Sequence, residues 1–220
     1  MWLDGAGIRC DRGELDLGEK LPLRFNYSIQ SKTLDLSLDF ARGETWRIRT
    51  QWGRPGWNVR VEVNQGQATR LAGFLPRNSP KPTAGRLSGS ISLGGGRAGA
   101  ESAAADVTFK ELAFSDASGL HAGEKVGGRV RVNALRREAG WQWRGEADWQ
   151  SGEVFWQPLY FAQGGHRFAG QGSLEPGALR ISQGRLQLAG VGEAQISGAW
   201  DTAGRRLTDF ELKAADIDMA

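Results

Sequence analysis

The sequence has a single cysteine, Cys10, so no disulfide can form within the chain and a disulfide-stapled scaffold is excluded. It also has no run of about 18 apolar residues, the length that a membrane-spanning helix needs. The first residues lack the basic region and the apolar stretch of a signal peptide. Because strand-like alternation begins almost at once and continues nearly to Ala220, we expect this chain to be a segment of a longer protein.

Charge of one sign is not in large excess either, since 28 lysines and arginines face 25 acidic residues and the net charge is +3. The basic residues are spread along the chain, and adjacent pairs occur only beside expected turns, at 136–137 and 205–206. A nucleic-acid-binding protein concentrates its positive charge on one face or stripe. The sequence therefore argues against a nucleic-acid partner.

Histidine is nearly absent, with only His121 and His166, and each lies in a turn-like context. Neither has a cysteine, a second histidine or a carboxylate cluster at the spacing of metal ligands. Nucleophilic catalysis needs a serine or cysteine beside a positioned base, and no such residue lies on a recognisable elbow or helix start. We therefore predict surface histidines, no catalytic residues, no metal and no cofactor, and a hydrolytic or carbohydrate-active enzyme is only the third alternative.

Other motifs that could carry chemistry lack their usual context. The stretch 94–99 (GGGRAG) has no following Lys-Ser/Thr and no helix, so it is not a phosphate loop, and 170–172 (GQG) lies inside a strand pattern. Asp216 and Asp218 are too few for a calcium loop. Glu146 and Asp148 share one phase of a strand, which fits either paired catalytic carboxylates or solvated surface charge.

What the sequence does contain is glycine, tryptophan and a period of two. Its 32 glycines are about twice the usual ~7% share, and its nine tryptophans argue against disorder. Apolar and polar residues alternate through the segments 21–30, 34–40, 46–52 and 57–64, and short connections join them. Strict alternation indicates strands with one buried and one wet face, and short connections join only antiparallel neighbours. We predict an all-β fold, an antiparallel meander of many amphipathic strands that forms a curved, elongated sheet or groove.

Two breaks in the alternation divide this meander. Residues 67–75 place apolar side chains on one helical stripe before Pro76, which predicts a short amphipathic helix. Residues 76–85 are proline-rich and predict a connector. We therefore predict an N-terminal β-meander (1–75), the connector (76–85) and a C-terminal curved β-meander (86–220).

The second half also contains shifts of phase. Leu112 and Phe114 are out of phase with Val107 and Phe109, which predicts a bulge near Lys110. Similar shifts fall between 181 and 186 and between 207 and 210. Glycines in the apolar phase, at 128, 145 and 198, predict space for a neighbour's ring in preference to space for a ligand.

The apolar face is the remaining candidate site. A closed sheet or sandwich would make it an ordinary core, whereas an open groove would make it a site for acyl chains, and alternation is identical in both cases. The residues that we predict to line such a groove are Leu34, Leu36, Leu38, Phe40, Trp46, Ile48, Val59, Val61, Ile91, Val107, Phe109, Val130, Val132, Trp141 and Trp143.

Two segments of the second half carry a family resemblance. Residues 82–93 (PTAGRLSGSISL) and 107–119 (VTFKELAFSDASG) resemble strands of the AsmA-like superfamily of bacterial envelope proteins, such as the TamB, YhdP and YdbH proteins. In that family a strand of the form G-x-L-x-G-x-h-x-h, with h apolar, precedes one similar to l-x-F-s-D-a-x-G-l. The resemblance covers roughly residues 82–220 and extends more loosely to the N-terminal meander.

The resemblance implies a long sheet curled into an apolar groove that conducts phospholipids between the inner and outer membranes. It implies a periplasmic location, with a tether to the inner membrane supplied by a segment absent from this chain, and acyl chains as partners. The family offers no catalytic residues. The alternative is a non-catalytic structural or protein-interaction module, a closed sandwich whose edges recruit an envelope partner by strand addition.

Overall fold

A computed structural model describes residues 2–4, 6–16, 20–40, 43–77, 79–202 and 206–215. These residues form β-strands and one short 3₁₀ helix, Ala68–Phe74. The strands are β1 (Trp2–Asp4), β2 (Gly7–Asp16), β3 (Lys20–Ser28), β4 (Thr33–Asp39), β5 (Thr45–Trp52), β6 (Trp57–Gln67), β7 (Lys81–Gly96), β8 (Gly99–Ser115), β9 (His121–Arg137), β10 (Gly140–Trp156), β11 (Leu159–Phe161), β12 (His166–Glu175), β13 (Ala178–Leu188), β14 (Gly192–Asp201) and β15 (Arg206–Ala215).

All the strands belong to one antiparallel sheet in which each strand pairs with its neighbours in sequence. The order runs from β1 to β10 and then from β12 to β15, while the short β11 folds back on the end of β10. The predicted all-β antiparallel meander is therefore confirmed. The sheet is open and uncurled, so the described residues form the predicted elongated sheet, but without the predicted curvature or groove and without the closed sandwich of the alternative.

The register explains why the alternation of the sequence is so regular. Residues of one phase lie opposite residues of the same phase on each neighbouring strand, so that each face of the sheet is built of continuous rows. One such row takes one residue from each strand of the path from β2 to β15: Cys10, Phe25, Leu36, Ile48, Val61, Ile91, Ala105, Val132, Gly145, Gly170, Gly184, Ile196 and Leu212.

β-Bulges keep the rows in phase where the sequence shifts. The bulge predicted near Lys110 is confirmed, because the pairing of β8 with β9 skips between Phe109 and Leu112. The shifts predicted in β13 and β15 are confirmed in the same way. In five consecutive strands the bulge region contains a residue with positive φ, and these residues are Gln65, Gly85, Glu111, Lys125 and Gly152.

The predicted helix is present over Ala68–Phe74, but it is a 3₁₀ helix. Its length is seven residues and no side chain caps its start, so little favours the α form. Leu75, which precedes Pro76, has the extended conformation that a following proline imposes. Ala68 is buried against Val63 and Leu87, so the helix covers one end of the apolar face.

Glu44 holds this helix against the sheet. Its side chain is buried, and its Oε1 accepts hydrogen bonds from Trp46 Nε1 (2.8 Å), Gln67 N (3.2 Å) and Arg70 Nε (2.8 Å). A buried carboxylate is stable only with such donors around it. This anchor is not predictable from the sequence, because nothing in the local pattern distinguishes Glu44 from a solvated turn residue.

The predicted connector is shorter than expected. Residues 81–85 already belong to β7, and β6 pairs with β7 across the segment, so the sheet continues from one half to the other. Gly94, Gly95 and Gly96 are the last residues of β7, and the turn that follows them lies at 97–98. The division into three segments stays a prediction.

Very little of this sheet is covered. The solvent-accessible surface is 14918 Å², whereas a compact protein of 23.9 kDa exposes about 9,900 Å². No large side chain of the described residues is fully buried, and the one buried cluster lies under the 3₁₀ helix. The described residues therefore form a single-layer sheet whose apolar face is mostly open.

Candidate functional site

The apolar face is the most extensive chemically uniform surface of the described residues. The row through Ile48 and Ile91 contains no charged side chain along its whole length. The adjacent row is also uncharged, and it consists of Gly13, Leu23, Leu38, Trp46, Val63, Gly89, Val107, Val130, Ala147, Phe168, Leu186, Ala194 and Ala214.

The structure brings the predicted lining residues together on this one face. Fourteen of the fifteen occupy register positions of the apolar phase, from Leu34 in β4 to Trp143 in β10. The fifteenth, Phe40, continues the phase of β4 just beyond its end, and the guanidinium carbon of Arg70 lies 3.8 Å from the centre of its ring. Their role in binding a ligand stays a prediction.

Exposure varies along the face. Leu87, under the 3₁₀ helix, is 4% exposed, whereas Leu93 on the same strand and the same face is 42% exposed. The open character continues toward the C-terminal edge, where Trp200 and Leu212 are also exposed. The part of the face beneath the 3₁₀ helix is therefore a small core, and large side chains such as Ile91, Leu93, Trp200 and Leu212 are exposed elsewhere on the face.

Glycines on this face accommodate neighbouring side chains. A Cβ on Gly145 would lie 3.3 Å from Val132 and 3.8 Å from the Trp143 ring, and one on Gly198 would lie 3.1 Å from the Cα of Phe210 and 3.3 Å from its ring. Side chains therefore occupy the space beside both glycines, and at Gly198 the neighbouring backbone is also close. The packing interpretation is wrong at Gly128, where the neighbour is the backbone carbonyl of Asp148 and the glycine permits close approach of two strands.

The opposite face is polar and carries a ladder of ion pairs. Arg129 binds Asp106 through Nε (2.7 Å) and Nη2 (2.6 Å), and these bonds hold the pKa of the Asp106 carboxyl below its usual value. Arg131 pairs with Glu146 at 2.7 Å, and Arg167 pairs with Asp148 at 3.4 Å. The two carboxylates considered as a catalytic pair therefore belong to this ladder, since each is neutralised by its own arginine.

Asp148 and Glu146 are joined to the ladder by register as well as by contact. Across the strands Asp106 lies opposite Arg131, and Arg131 lies opposite Glu146, so the charge alternates from strand to strand. Opposite charges directly across a sheet stabilise the pairing slightly, and exposed pairs contribute little beyond that. This face is consistent with solvated structural charge.

Both histidines pack against tryptophans instead of lying free in turns. The His121 ring contacts Trp156 at a centroid distance of 4.3 Å, and its Nδ1 lies 2.5 Å from Asp116 Oδ2. Hydrogen bonding from His121 is the main reason that the pKa of Asp116 falls to about 2, from an ordinary 3.8. Ser118 Oγ also donates to Asp116 Oδ2, at 2.9 Å, so it bonds the carboxylate and not the imidazole.

His166 belongs to an aromatic cluster at the start of β12. Its ring lies 4.9 Å from that of Trp149 and 5.5 Å from that of Phe161, and its Nδ1 accepts a hydrogen bond from Ala189 N at 3.1 Å. Both histidines are half-buried first residues of strands, so the prediction of surface turn histidines is wrong. The sequence signal that identifies one of these contacts is the Asp116-to-His121 loop, whose acid, serine and glycine favour a local hydrogen-bonded turn.

No group of three or more metal-ligating side chains occurs among the described residues, and Asp216 and Asp218 lie outside them. No helix of the described residues has the length and apolar character that crossing a bilayer would need. No family model matches the sequence, and no curated protein or solved structure matches it. The resemblance to the AsmA-like superfamily therefore stays a prediction that rests on its motifs.

Proposed function

We propose that the apolar face binds acyl chains of phospholipids and that this chain is a wall of a lipid conduit in the bacterial envelope. The observation that carries the proposal is the open apolar face, continuous over thirteen strands of the path, in a single-layer sheet. An ordinary globular protein covers such a face with a second layer. Here the described residues supply only the seven-residue 3₁₀ helix Ala68–Phe74 as cover.

The dimensions of the face suit hydrocarbon chains. Strands in a sheet lie about 4.8 Å apart, so fourteen strands in order make a face roughly 60 Å wide. The hydrocarbon part of one bilayer leaflet is about 15 Å deep, and an acyl chain of that length would span three or four strands. Many chains could therefore lie side by side or move from position to position along the rows.

Binding would come from apolar contact alone. A fully buried methylene contributes about 0.8 kcal/mol, and a chain on an open face buries about half of its surface. The two uncharged rows contain no charged side chain that would select a head group, and the indole N–H of Trp46 already donates to Glu44. We therefore propose selection for acyl chains rather than for particular lipids. A second wall, from the rest of a longer protein, would raise affinity by covering the chain.

The wider assignment rests on the motif resemblance. In an AsmA-like envelope protein the sheet would lie in the periplasm, would be held to the inner membrane by a segment outside this chain and would serve phospholipid transport or outer-membrane homeostasis. The chain would then be non-catalytic, since a conduit needs an apolar surface and no reacting group. This assignment fails independently of acyl-chain binding if the full-length protein is found outside the envelope.

The test compares adjacent substitutions on opposite faces of one strand. Ile91→Asp places a carboxylate on the open apolar face, and the control Ser92→Asp places one on the polar face across from Arg60. We expect phospholipid to co-purify with the wild type and with Ser92→Asp, and to be reduced several-fold in Ile91→Asp, as measured by mass spectrometry. Brominated phospholipid should quench the fluorescence of Trp57 and Trp143 in the same order. Equal lipid binding by all three proteins, or none by the wild type, contradicts the proposal.

The free edges of the sheet favour a second candidate, a module that recruits a protein by strand addition. β1 covers only residues 7–9 of β2, so the rest of that edge is unpaired among the described residues, and the far edge of β15 is also unpaired there. An edge of unpaired amides is a template for an added strand. Amide hydrogen exchange in β15 should slow on addition of an envelope partner, and unchanged exchange rules that partner out.

A further inference from the structure

The polar face has one hollow in which the alternation of charge fails. Its volume is about 550 Å³, and it lies over strands β2 to β6, on the side opposite to the proposed acyl-chain surface. We name it the arginine hollow after its charged lining: Arg9, Asp11, Arg24, Asp35, Arg47, Arg49, Arg60 and Glu62. Five arginines and three carboxylates line it, which leaves an excess of two positive charges (5 − 3 = 2).

The ion pairs of the hollow leave one arginine over. Arg9 pairs with Asp11, Arg49 with Asp35 and Arg60 with Glu62, so each lining carboxylate has one arginine. Arg24 pairs with Asp39, which lies outside the lining. Arg47 has no ion pair among the residues that the structure describes, because Glu62, which lies directly opposite it in the register, bonds Arg60 instead.

The register places like charges together at this point. Arg49 of β5 lies directly opposite Arg60 of β6, and Arg47 lies two residues from Arg49 on the same face. Like charges directly across a sheet destabilise the pairing. The ladder around Arg131 avoids this arrangement, since both of its cross-strand neighbours are carboxylates. Within the hollow the repulsion is only partly neutralised.

The arginines of the hollow also keep N–H groups for a further acceptor. Arg49 donates to Asp35 through Nε alone, at 2.5 Å, whereas Arg129 of the ladder binds its carboxylate through two nitrogens. A guanidinium has five N–H donors in a planar fork that matches phosphate and carboxylate oxygens. Arg47 and Arg49 therefore have donors that the chain's own carboxylates do not use.

We propose that the arginine hollow binds a phosphoryl group through Arg47, Arg49 and Arg60. A phosphate has three or four acceptor oxygens in a tetrahedron, so it can accept from guanidiniums on two neighbouring strands at once, which a planar carboxylate does less well. Its charge compensates the excess of the lining and relieves the repulsion between Arg49 and Arg60. The hollow has room for a small phosphate ester as well as for inorganic phosphate. Because the site lies on the polar face, it does not depend on acyl-chain binding.

The experiment measures phosphate binding to the full chain by titration calorimetry at constant ionic strength, with chloride as the reference anion. The test variant is Arg47→Gln, which leaves the ion pairs of the hollow intact. The matched control is Arg144→Gln, an exposed arginine of β10 on the same face, which donates to Gln171. We expect saturable binding by the wild type, at least tenfold weaker binding by Arg47→Gln and less than a twofold change in Arg144→Gln, since one charge-assisted hydrogen bond changes affinity by that order.

Two further measurements distinguish free phosphate from an esterified phosphoryl group and test the role of the planar guanidinium. Glycerol 3-phosphate that binds at least tenfold more tightly than inorganic phosphate indicates an esterified phosphoryl group, such as a lipid head group, and equal affinity indicates free phosphate. Arg47→Lys keeps the charge but not the planar fork, so it should restore only part of the affinity. No saturable binding of either probe, or an equal loss in Arg47→Gln and Arg144→Gln, overturns the proposal.

Discussion

Two leucines of β7 provide a direct test of whether the apolar face is open in solution. Leu87 and Leu93 lie on the same strand and the same face, and they differ in cover: Leu87 is 4% exposed beneath the 3₁₀ helix, and Leu93 is 42% exposed. Substitution of each by alanine removes the same atoms. Any difference in cost therefore reports how much of each side chain is removed from water on folding.

The magnitudes follow from these exposures. A buried leucine replaced by alanine costs about 2–5 kcal/mol, because transfer and cavity terms add, and we expect about 3 kcal/mol for Leu87→Ala. At Leu93 nearly half of the side chain is already in water and no enclosed cavity forms, so only a reduced transfer term remains, about 1 kcal/mol. The expected difference in the free energy of unfolding is thus about 2 kcal/mol.

The assay is urea denaturation of the wild type and both variants, with far-UV circular dichroism and tryptophan fluorescence as separate probes. Coincidence of the two transitions would justify comparing midpoints through a common slope. A cost for Leu93→Ala as large as that for Leu87→Ala would refute the reasoning, since it would mean that a second layer covers the face. Added phospholipid should raise the cost of Leu93→Ala and leave that of Leu87→Ala unchanged.

Three further substitutions test local features. Asp116→Asn should lower the free energy of unfolding at pH 7, and this deficit should vanish as the pH falls from 4 toward 2. The reason is that the pKa of Asp116 is lowered to about 2, so the carboxylate contributes stability only while it is ionised. A deficit in the urea midpoint that does not change with pH contradicts this. Glu44→Ala should cost about 3 kcal/mol in chemical denaturation, because it removes the buried acceptor of the hydrogen bonds from Arg70, Trp46 and Gln67. Glu44→Gln should cost less, and equal costs would show that the charge does not matter. Lys125→Gly should raise the free energy of unfolding by about 0.5–1 kcal/mol and the thermal midpoint slightly, because Lys125 has a φ of 51° that glycine adopts without strain. An unchanged or lower midpoint would show that the lysine side chain stabilises the bulge.

The sequence predicted the meander because strand pairing here is local. Leu34, Leu36 and Leu38 alternate with polar residues, and one strand's phase fixes that of its neighbour through a short turn. The bulge at Lys110 was predictable for the same reason, since a bulge that keeps both parts of β8 on one face must appear as a shift of phase. Such features depend on residues within about a dozen positions of one another.

Other features depend on contacts that leave no local signal. Glu44 meets Arg70 across 26 positions, and His166 meets Ala189 across 23, so neither contact could be inferred from the alternation. The arginine hollow was missed because Arg47, Arg49 and Arg60 look like ordinary residues of the wet phase until the register sets them side by side. The sequence could not predict whether the apolar face is open either, since apolar and polar residues alternate in the same way in a covered strand and in an uncovered one.

The strict nearest-neighbour order of the strands has a consequence for how this protein can vary. Among the described residues each hairpin pairs with the hairpin before it and the hairpin after it, as repeats do in solenoid proteins, so stability is expected to accumulate unit by unit instead of from one global core. Folding can then begin at any hairpin and extend outward, with low contact order for a β protein. A pair of strands gained or lost would change the length of the sheet in steps of about 10 Å while the remaining pairings stay as they are. The length of the sheet can thus change while the side chains on its two faces stay the same.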